Sequence, residues 1–263
     1  MKMNLDSEIQ VPQSALGDNI IAIASGKGGV GKTWIAVTLC HVLARGGKKV
    51  LLFDGDLGLA NVDIQLGLMP RRDLGDVVSQ GLDLRSAATP FVDENGKGFD
   101  IIAGKSGSGA LATLGRPQLK ALRNELMMLS RAYDRVILDL GAGVESAVTT
   151  LAANRGPSLV VITDEPTSLT DAYAFIKLHV MRQPGADIRI VVNMARSHKD
   201  GERTHATLKR ACETFLKISP RLAGIIRRDD KVADAIRRQV PMLGRHPLSD
   251  AAVDLERLAR SLE

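Results

Sequence analysis

The chain has 263 residues, of which 44% are hydrophobic and 3% aromatic, and its formal net charge at pH 7 is +5. This length suits one large α/β domain or two small ones packed mainly with aliphatic side chains. No apolar run approaches the roughly 18 residues of a membrane span, and the first ten residues lack the apolar core of a secretory signal. The composition excludes an integral membrane protein, and we expect a cytoplasmic protein whose cysteines, Cys40 and Cys212, stay reduced.

Apolar runs alternate with segments of helical periodicity along the chain. This alternation predicts an α/β fold, a doubly wound, mostly parallel sheet with helices on both faces. The predicted strands are 20–24, 49–53, 100–103, 135–139, 159–163, 188–193 and 222–226. The predicted helices are 32–45, 117–131, 146–153, 169–182, 202–216, 231–238 and 249–261. We expect a turn at 93–98, a mobile polar loop at 196–202, an N-terminal arm at 1–18 and a single domain at 19–263.

The first predicted strand leads into residues 26–33, GKGGVGKT, which match the phosphate-binding pattern G-x-x-x-x-G-K-[ST]. In such a loop, backbone N–H groups turn towards phosphate oxygens, and the following helix N-terminus favours an anion. The N–H groups expected to do this belong to Gly28, Gly29, Val30 and Gly31. Lys32 is placed to reach the outer phosphates and Thr33 to ligate Mg²⁺. Lys27 is a second lysine, which an ordinary phosphate loop does not need.

The glycines of this loop also spell G-x-G-x-x-G, the pattern of a dinucleotide-binding fold. In that fold an acidic residue about twenty positions further on binds a ribose hydroxyl, and Asp54 follows the second predicted strand. Lys32 and Thr33 decide between the two interpretations. A dinucleotide offers no terminal phosphate for the lysine and no Mg²⁺ for the hydroxyl, so the loop indicates a nucleoside triphosphate.

Three aspartates at the ends of predicted strands complete a hydrolytic site. Because ligands bind at the carboxyl ends of parallel strands, we expect Asp54, Asp56 and Asp139 to face the same crevice as the loop. Asp139 is predicted to hold Mg²⁺ together with Thr33. Asp54 is predicted to lie behind these direct ligands, without contacting the metal itself. Asp56 is predicted to align the attacking water, and Lys27 to neutralise charge on the transferring phosphoryl group. The set predicts a Mg²⁺-dependent phosphohydrolase.

These residues resemble the deviant Walker-A ATPases of the MinD/ParA family, whose phosphate loop contains the same second lysine. Within that family, Asp54-Gly-Asp56-Leu-Gly-Leu-Ala-Asn-Val-Asp63, residues 165–173 (EPTSLTDAY) and Val191-Val192-Asn193 look most like the FlhG/FleN branch of flagellar regulators. The resemblance implies that ATP drives formation of a homodimer in which Lys27 of each chain reaches the phosphates bound by the other. It also implies that Asp56 activates water, Asp139 is linked to Mg²⁺ and Asn193 binds adenine.

The resemblance implies a weak ATPase that works as a switch on flagellar number or placement, with flagellar assembly or placement proteins as partners. A ParA-like partition ATPase, which binds DNA nonspecifically as an ATP dimer, is the alternative. The arginines of residues 227–245 would serve that alternative, or they belong to a solvated face that also carries aspartates. A metabolic phosphotransferase would need an acceptor pocket, for which the sequence gives no signal.

Two departures from the family limit the partners that the resemblance implies. Residues 1–19 lack the Asp-Gln-Ala-x-x-Leu-Arg segment through which an FlhF-like GTPase activates flagellar members. The last predicted helix has an apolar stripe, whereas family relatives often end in a membrane-binding helix. Its polar face is rich in acids and it has no aromatic residue, so we expect it to pack on the domain rather than to bind the inner face of the cell membrane.

Overall fold

The computed structural model describes residues 17–104 and 111–263, except for the side chain of Ala112. The predicted N-terminal arm therefore lies outside the described residues, except for Gly17 and Asp18. These two residues form a turn that leads into the first strand, where the Ile20 N–H donates to the Gly17 carbonyl at 3.1 Å.

The described residues form an eight-stranded sheet, parallel throughout except for one edge hairpin. In chain order the strands are β1 (Ile20–Ser25), β2 (Val50–Gly55), β3 (Thr89–Val92), β4 (Gly98–Ile102), β5 (Arg135–Ala142), β6 (Ser158–Ile162), β7 (Ile188–Ala195) and β8 (Arg221–Arg227). Their spatial order is β3-β4-β2-β5-β1-β6-β7-β8, and only β3 and β4 are antiparallel. The strand β1 therefore lies in the middle of the sheet, between β5 and β6.

Helices cover both faces of this sheet. They are α1 (Lys32–Arg45), α2 (Val62–Leu66), α3 (Leu74–Gln80), α4 (Arg116–Leu129), α5 (Ser146–Leu151), α6 (Pro166–Arg182), α7 (His198–Leu216), α8 (Asp230–Arg237), α9 (Met242–Arg245) and α10 (Asp250–Arg260). Successive strand residues point to opposite faces, so β1 contributes Ala22 to the core under α4, α6 and α7 and Ile23 to the core under α1 and α10. The doubly wound fold predicted from the alternation of elements is confirmed.

The structure corrects three local predictions. The segment 196–202 is not a loop throughout, because Ser197 caps α7, which already begins at His198, and its Oγ accepts the Asp200 N–H at 3.1 Å. The edge strand β3 was not predicted because it contains Pro90, which only an edge strand tolerates. The short helices α2, α3 and α9 were also not predicted, since four to seven residues are too few to show a helical period.

The last helix, α10, packs on α1 and β8, as its sequence predicted. Its buried apolar residues are Ala251, Ala252, Leu255, Leu258 and Ala259. A buried carboxylate fixes it further: Asp254, 1% exposed, accepts the backbone N–H of Arg227 at 3.1 Å and its Nε–H at 2.7 Å. Arg227 ties the end of β8 to α10. Across the described ranges, no helix is long and apolar enough to span a membrane.

We expect Asp254→Ala to lower the free energy of unfolding by about 2–4 kcal/mol, because it leaves the half-buried Arg227 guanidinium without its main partner. Urea denaturation measures this loss. Asp250→Ala is the matched control, since Asp250 contacts the same guanidinium at 2.8 Å but is mostly exposed. Its cost should stay below about 1 kcal/mol, and equal losses in the two variants would refute the anchoring role of Asp254.

Candidate functional site

Six of the predicted site residues line a cleft at the carboxyl ends of the central strands. The cleft has a volume of about 1010 Å³ and is walled by the phosphate loop, the turn after β2, the end of β5 and α8. Among the predicted residues, those that line it are Gly28, Gly29, Gly31, Lys32, Thr33 and Asp56. The sequence did not predict that Trp34, Glu145 and Arg237 also line the cleft.

The phosphate loop is held by close contacts at both ends. A Cβ on Gly26 would lie 2.1 Å from the backbone carbonyl of Asp171 in α6, so no side chain fits there. Gly31, at φ +92°, precedes α1, and a Cβ on it would lie 2.4 Å from Nδ2 of Asn193. The left-handed backbone at Gly29 and Gly31 turns the loop in a way that other residues rarely adopt. The loop conformation is thus fixed by its neighbours.

Lys32 is nearly buried at the base of the loop. Its Nζ donates to Ser25 Oγ at 2.9 Å, and Ser25 Oγ in turn donates to the Lys27 carbonyl at 2.7 Å. Burial lowers the pKa of Lys32, and the charges of Asp139 and Asp56 oppose that shift. The ammonium therefore lies within the field of two site carboxylates, as a lysine that binds outer phosphates requires.

Asp139, which lies within β5 three residues before its last residue, has the properties of a cation ligand. Its carboxyl is fully buried and receives a hydrogen bond from Thr33, yet its Oδ1 has no hydrogen-bond partner among the described residues. Burial, with the nearby Asp54 carboxyl, raises the pKa of Asp139 to about 8. A buried oxygen without a partner costs free energy that a bound cation removes.

The residues present fit Mg²⁺ bound through a nucleotide. The described residues contain no group of three or more His, Cys, Asp or Glu side chains arranged around a metal position. Mg²⁺ usually takes one or two protein ligands and completes its shell with water and phosphate oxygens. Thr33 and Asp139 provide such a pair, and the bound ion would neutralise phosphate charge.

The Asp54 carboxylate differs from that of Asp139 in its hydrogen bonds. Its side chain is completely buried, and its carboxylate accepts the backbone N–H groups of Asp56, Asn61 and Val62 at 3.1–3.2 Å. Burial raises the pKa of Asp54 to about 7 against these hydrogen bonds. The contacts fix the turn between β2 and α2, which carries Asp56. A place for Asp54 behind the residues that hold Mg²⁺ stays a prediction.

Asp56 is the carboxylate that faces the open cleft. Its Oδ1 accepts the Leu59 N–H at 3.0 Å, and the same atom lies 3.2 Å from the position of a Cβ on Gly141. Gly141, near the end of β5, therefore gives the carboxylate room beside the loop. An acid here is suited to align a water molecule, which is the role predicted for it.

Lys27 does not point into its own cleft. Its Nζ forms an ion pair with Glu165 and donates to Thr167 Oγ1 at 2.9 Å, both at the start of α6. The sequence did not predict this contact, because Glu165 and Thr167 lie about 140 residues after Lys27 and no spacing rule joins them to it.

Asn193 lies beneath the loop at the end of β7. It is 4% exposed, and its Nδ2 donates to the Val30 carbonyl at 2.8 Å. The structure therefore gives it a contact that supports the loop. The adenine contact that the family resemblance implies stays a prediction.

A model of the CobQ/CobB/MinD/ParA nucleotide binding domain matches residues 21–242 of the chain. The chain belongs to this family. The antiactivator FleN of Pseudomonas aeruginosa is 34% identical over 244 residues, which cover 93% of this chain and 86% of FleN. The flagellum site-determining protein YlxH of Helicobacter pylori is 33% identical over 190 residues, 72% of this chain and 62% of YlxH.

Solved structures show the same fold. The septum site-determining protein MinD of Pyrococcus horikoshii OT3, complexed with Mg-ADP, matches with a TM-score of 0.76 at 24% identity, over 93% of this chain and 96% of that protein. The fold class and the family resemblance predicted from the sequence are both confirmed. This member of the MinD/ParA family therefore has the family's nucleotide-binding domain.

We expect Gly31→Ala to destabilise the nucleotide-free protein by about 1–3 kcal/mol, because its φ is left-handed and its Cβ would strike Asn193. Gly28→Ala is the matched control, since a Cβ there meets nothing within 4 Å. Its change in unfolding free energy should stay within about 0.5 kcal/mol. Urea denaturation of both variants measures the difference, and equal stabilities would show that Asn193 does not constrain the loop.

Proposed function

We propose that this protein is an ATP-dependent dimerising switch with weak Mg²⁺-dependent ATPase activity, and that it regulates flagellar number or placement. The observation that carries the proposal is the direction of Lys27. Its loop neighbours line the cleft, whereas its own ammonium lies outside it against α6. A lysine on the phosphate loop that does not serve its own cleft is available to serve the cleft of a second copy.

Exposed apolar side chains at the rim of the cleft favour a second copy of the chain as the binding partner. Four large apolar side chains both line the cleft and face solvent: Leu59, Ile64, Met194 and Ile236, with exposed fractions of 76%, 57%, 43% and 39%. Exposed apolar side chains grouped on one surface mark interaction sites. A two-fold dimer closed over this surface would cover all four in each copy and exclude water from the nucleotides.

Hydrolysis in such a dimer would use residues from both copies. Lys32 would bind the outer phosphates, Thr33 and Asp139 would hold Mg²⁺, and Asp56 would align water in the same chain. Lys27 of the second copy would stabilise negative charge that develops during phosphoryl transfer. A cation supplied in trans can raise such a rate by about 10³- to 10⁵-fold, which couples hydrolysis to dimerisation.

The flagellar part of the proposal is supported by the two curated relatives, an antiactivator and a flagellum site-determining protein. Flagellar assembly or placement proteins are the partners we propose. We place the protein in the cytoplasm, where its dimer would meet them. A contact with the membrane would need surfaces other than the apolar stripe of α10, which is buried.

The arrangement of the arginines in residues 227–245 gives the DNA-partition alternative less support than the flagellar proposal has. Three of the five arginines in residues 227–245 form ion pairs: Arg227 with Asp254 and Asp250, and Arg238 and Arg245 with Asp234. Arginines neutralised within the chain contribute little to nonspecific DNA binding, which depends on unpaired cations. Strongly salt-sensitive DNA binding that appears only with ATP would favour the alternative.

The proposal predicts a nucleotide-dependent solution mass. The wild type should be a monomer with ADP and a dimer with ATP and Mg²⁺. Asp56→Ala should remain dimeric because it cannot hydrolyse ATP, and Lys27→Ala should form no stable dimer. Light scattering after size exclusion measures these masses.

Lys177→Ala is the matched control for the lysine change, since Lys177 is an exposed lysine of α6 away from the loop. It should dimerise like the wild type. A wild-type mass that does not respond to ATP, although ATP binds, would refute the switch.

A further inference from the structure

Gln239, two residues after the end of α8, has a backbone conformation that glycine adopts most easily. Its φ is +55°, in the left-handed region that side chains with a Cβ usually avoid. This conformation ends the helix. The Gln239 N–H donates to the Ile236 carbonyl at 3.0 Å, and the Val240 N–H donates to the Ala235 carbonyl at 3.2 Å. Because glycine would end the helix at lower cost, we expect the glutamine side chain to make a compensating contact.

The Gln239 side chain makes that contact with another helix. Its Nε2 donates to the carbonyl of Ile64, a residue of α2, at 2.7 Å. Gly67, which follows α2 with φ +62°, leaves space for the glutamine, because a Cβ on Gly67 would lie 3.2 Å from Gln239 Oε1. The C-terminal ends of α2 and α8 thus meet, and one side chain joins them.

This hydrogen bond joins two walls of the cleft that come from distant strands. The helix α2 follows β2 and α8 follows β8, and four strands separate β2 from β8 in the sheet. Both helices contribute to the lining of the cleft: Ile64 and Gln65 from α2, and Ile236 and Arg237 from α8. Gln239 lines the cleft as well. The bond therefore closes the cleft on the side where the two helices meet.

The helix α2 depends on this contact because it is short. It has five residues, of which Val62 and Leu66 are buried. The Asp54 carboxylate fixes its first turn by accepting the Val62 N–H at 3.2 Å. Gln239 holds its other end through the Ile64 carbonyl. Loss of the glutamine side chain would leave the start of α2, and the turn before it, in place and free the end that faces α8.

Lys217 shows that a left-handed residue after a helix does not by itself imply such a contact. It ends α7 with φ +58°, and its Nζ donates to the Thr214 carbonyl of the same helix at 2.9 Å. Lys217 does not line the cleft. Gln239 differs because its side chain leaves its own helix and reaches the opposite wall of the cleft.

We propose that Gln239 is a positioning residue that holds α2 against α8 and retains the nucleotide, so that its hydrogen bond to Ile64 sets how fast ADP leaves the cleft. The inference rests on the nucleotide binding of the proposed function and does not require the dimer. Gln239 and Ile64 are both exposed, and an exposed neutral hydrogen bond is weak enough to break and form again. Product release limits turnover in many enzymes, so this bond would affect how fast the switch resets.

The test is the rate constant with which the protein releases ADP that carries an N-methylanthraniloyl fluorophore on its ribose. Excess unlabelled ADP displaces it in a stopped-flow instrument. Trp34, the one tryptophan of the chain, lines the cleft and excites the fluorophore by energy transfer. We expect Gln239→Gly and Gln239→Asn to release the labelled ADP about three- to tenfold faster, the effect of one neutral hydrogen bond. The asparagine side chain is one methylene shorter and should not reach the Ile64 carbonyl.

Two controls separate positioning from a general effect on structure. Gln239→Gly and Gln239→Asn both place a residue that tolerates the left-handed backbone, so neither should lower the melting temperature. Lys217→Gly relieves the same backbone conformation away from the cleft and should release ADP at the wild-type rate. Gln239→Glu keeps the size of the side chain, but an ionised carboxylate cannot donate to a carbonyl. It should release ADP at least as fast as Gln239→Gly.

The outcomes distinguish this inference from the proposed function. If the labelled ADP binds but Gln239→Gly and Gln239→Asn release it at the wild-type rate, the positioning role is wrong and nucleotide binding stands. Faster release together with a lower melting temperature in both variants would also overturn the role, since a general loss of structure would explain it. If the wild type does not bind ADP, the proposed function and this inference fail together.

Discussion

The close packing of the phosphate loop between α6 and the end of β7 is the constraint on which the site depends. Gly26 lies on the Asp171 carbonyl, and Gly31 lies on the Asn193 amide, with no space for a side chain at either position. These contacts fix the loop backbone. They aim Lys32 at the cleft floor and direct Lys27 to the start of α6, so one short segment carries two lysines with opposite directions.

The three aspartates at the sheet edge differ because their surroundings differ. The Asp54 carboxylate accepts backbone N–H groups and organises the turn after β2. Asp139 has a buried oxygen to which none of the described residues donates a hydrogen bond, and Asp56 faces the cleft. A buried carboxyl with an unused oxygen is prepared for a cation, and an accessible one for water. The proposed site therefore would combine metal binding and water alignment at the carboxyl ends of the adjacent parallel strands β2 and β5.

Much of this could be predicted from the sequence, because the loop and the acids are local patterns and the strands are strongly apolar. The hydrogen bonds of Asp54 could not, since they depend on which backbone groups the turn brings to its carboxylate. The Lys27 contact with Glu165 joins residues far apart in sequence and depends on how α6 packs. The start of α7 was predictable in principle, because Ser197 and Asp200 have the spacing of a helix cap.

The central claim is that Lys27 acts on the nucleotide of a second copy. Mixing Lys27→Ala with Asp56→Ala, each inactive alone, tests it most directly through the rate of ATP hydrolysis. A mixed dimer has one site with Asp56 in its own chain and Lys27 from the other, so the account predicts that the mixture regains activity. A mixture as inactive as its separate components, under conditions in which the wild type hydrolyses ATP, would contradict the account.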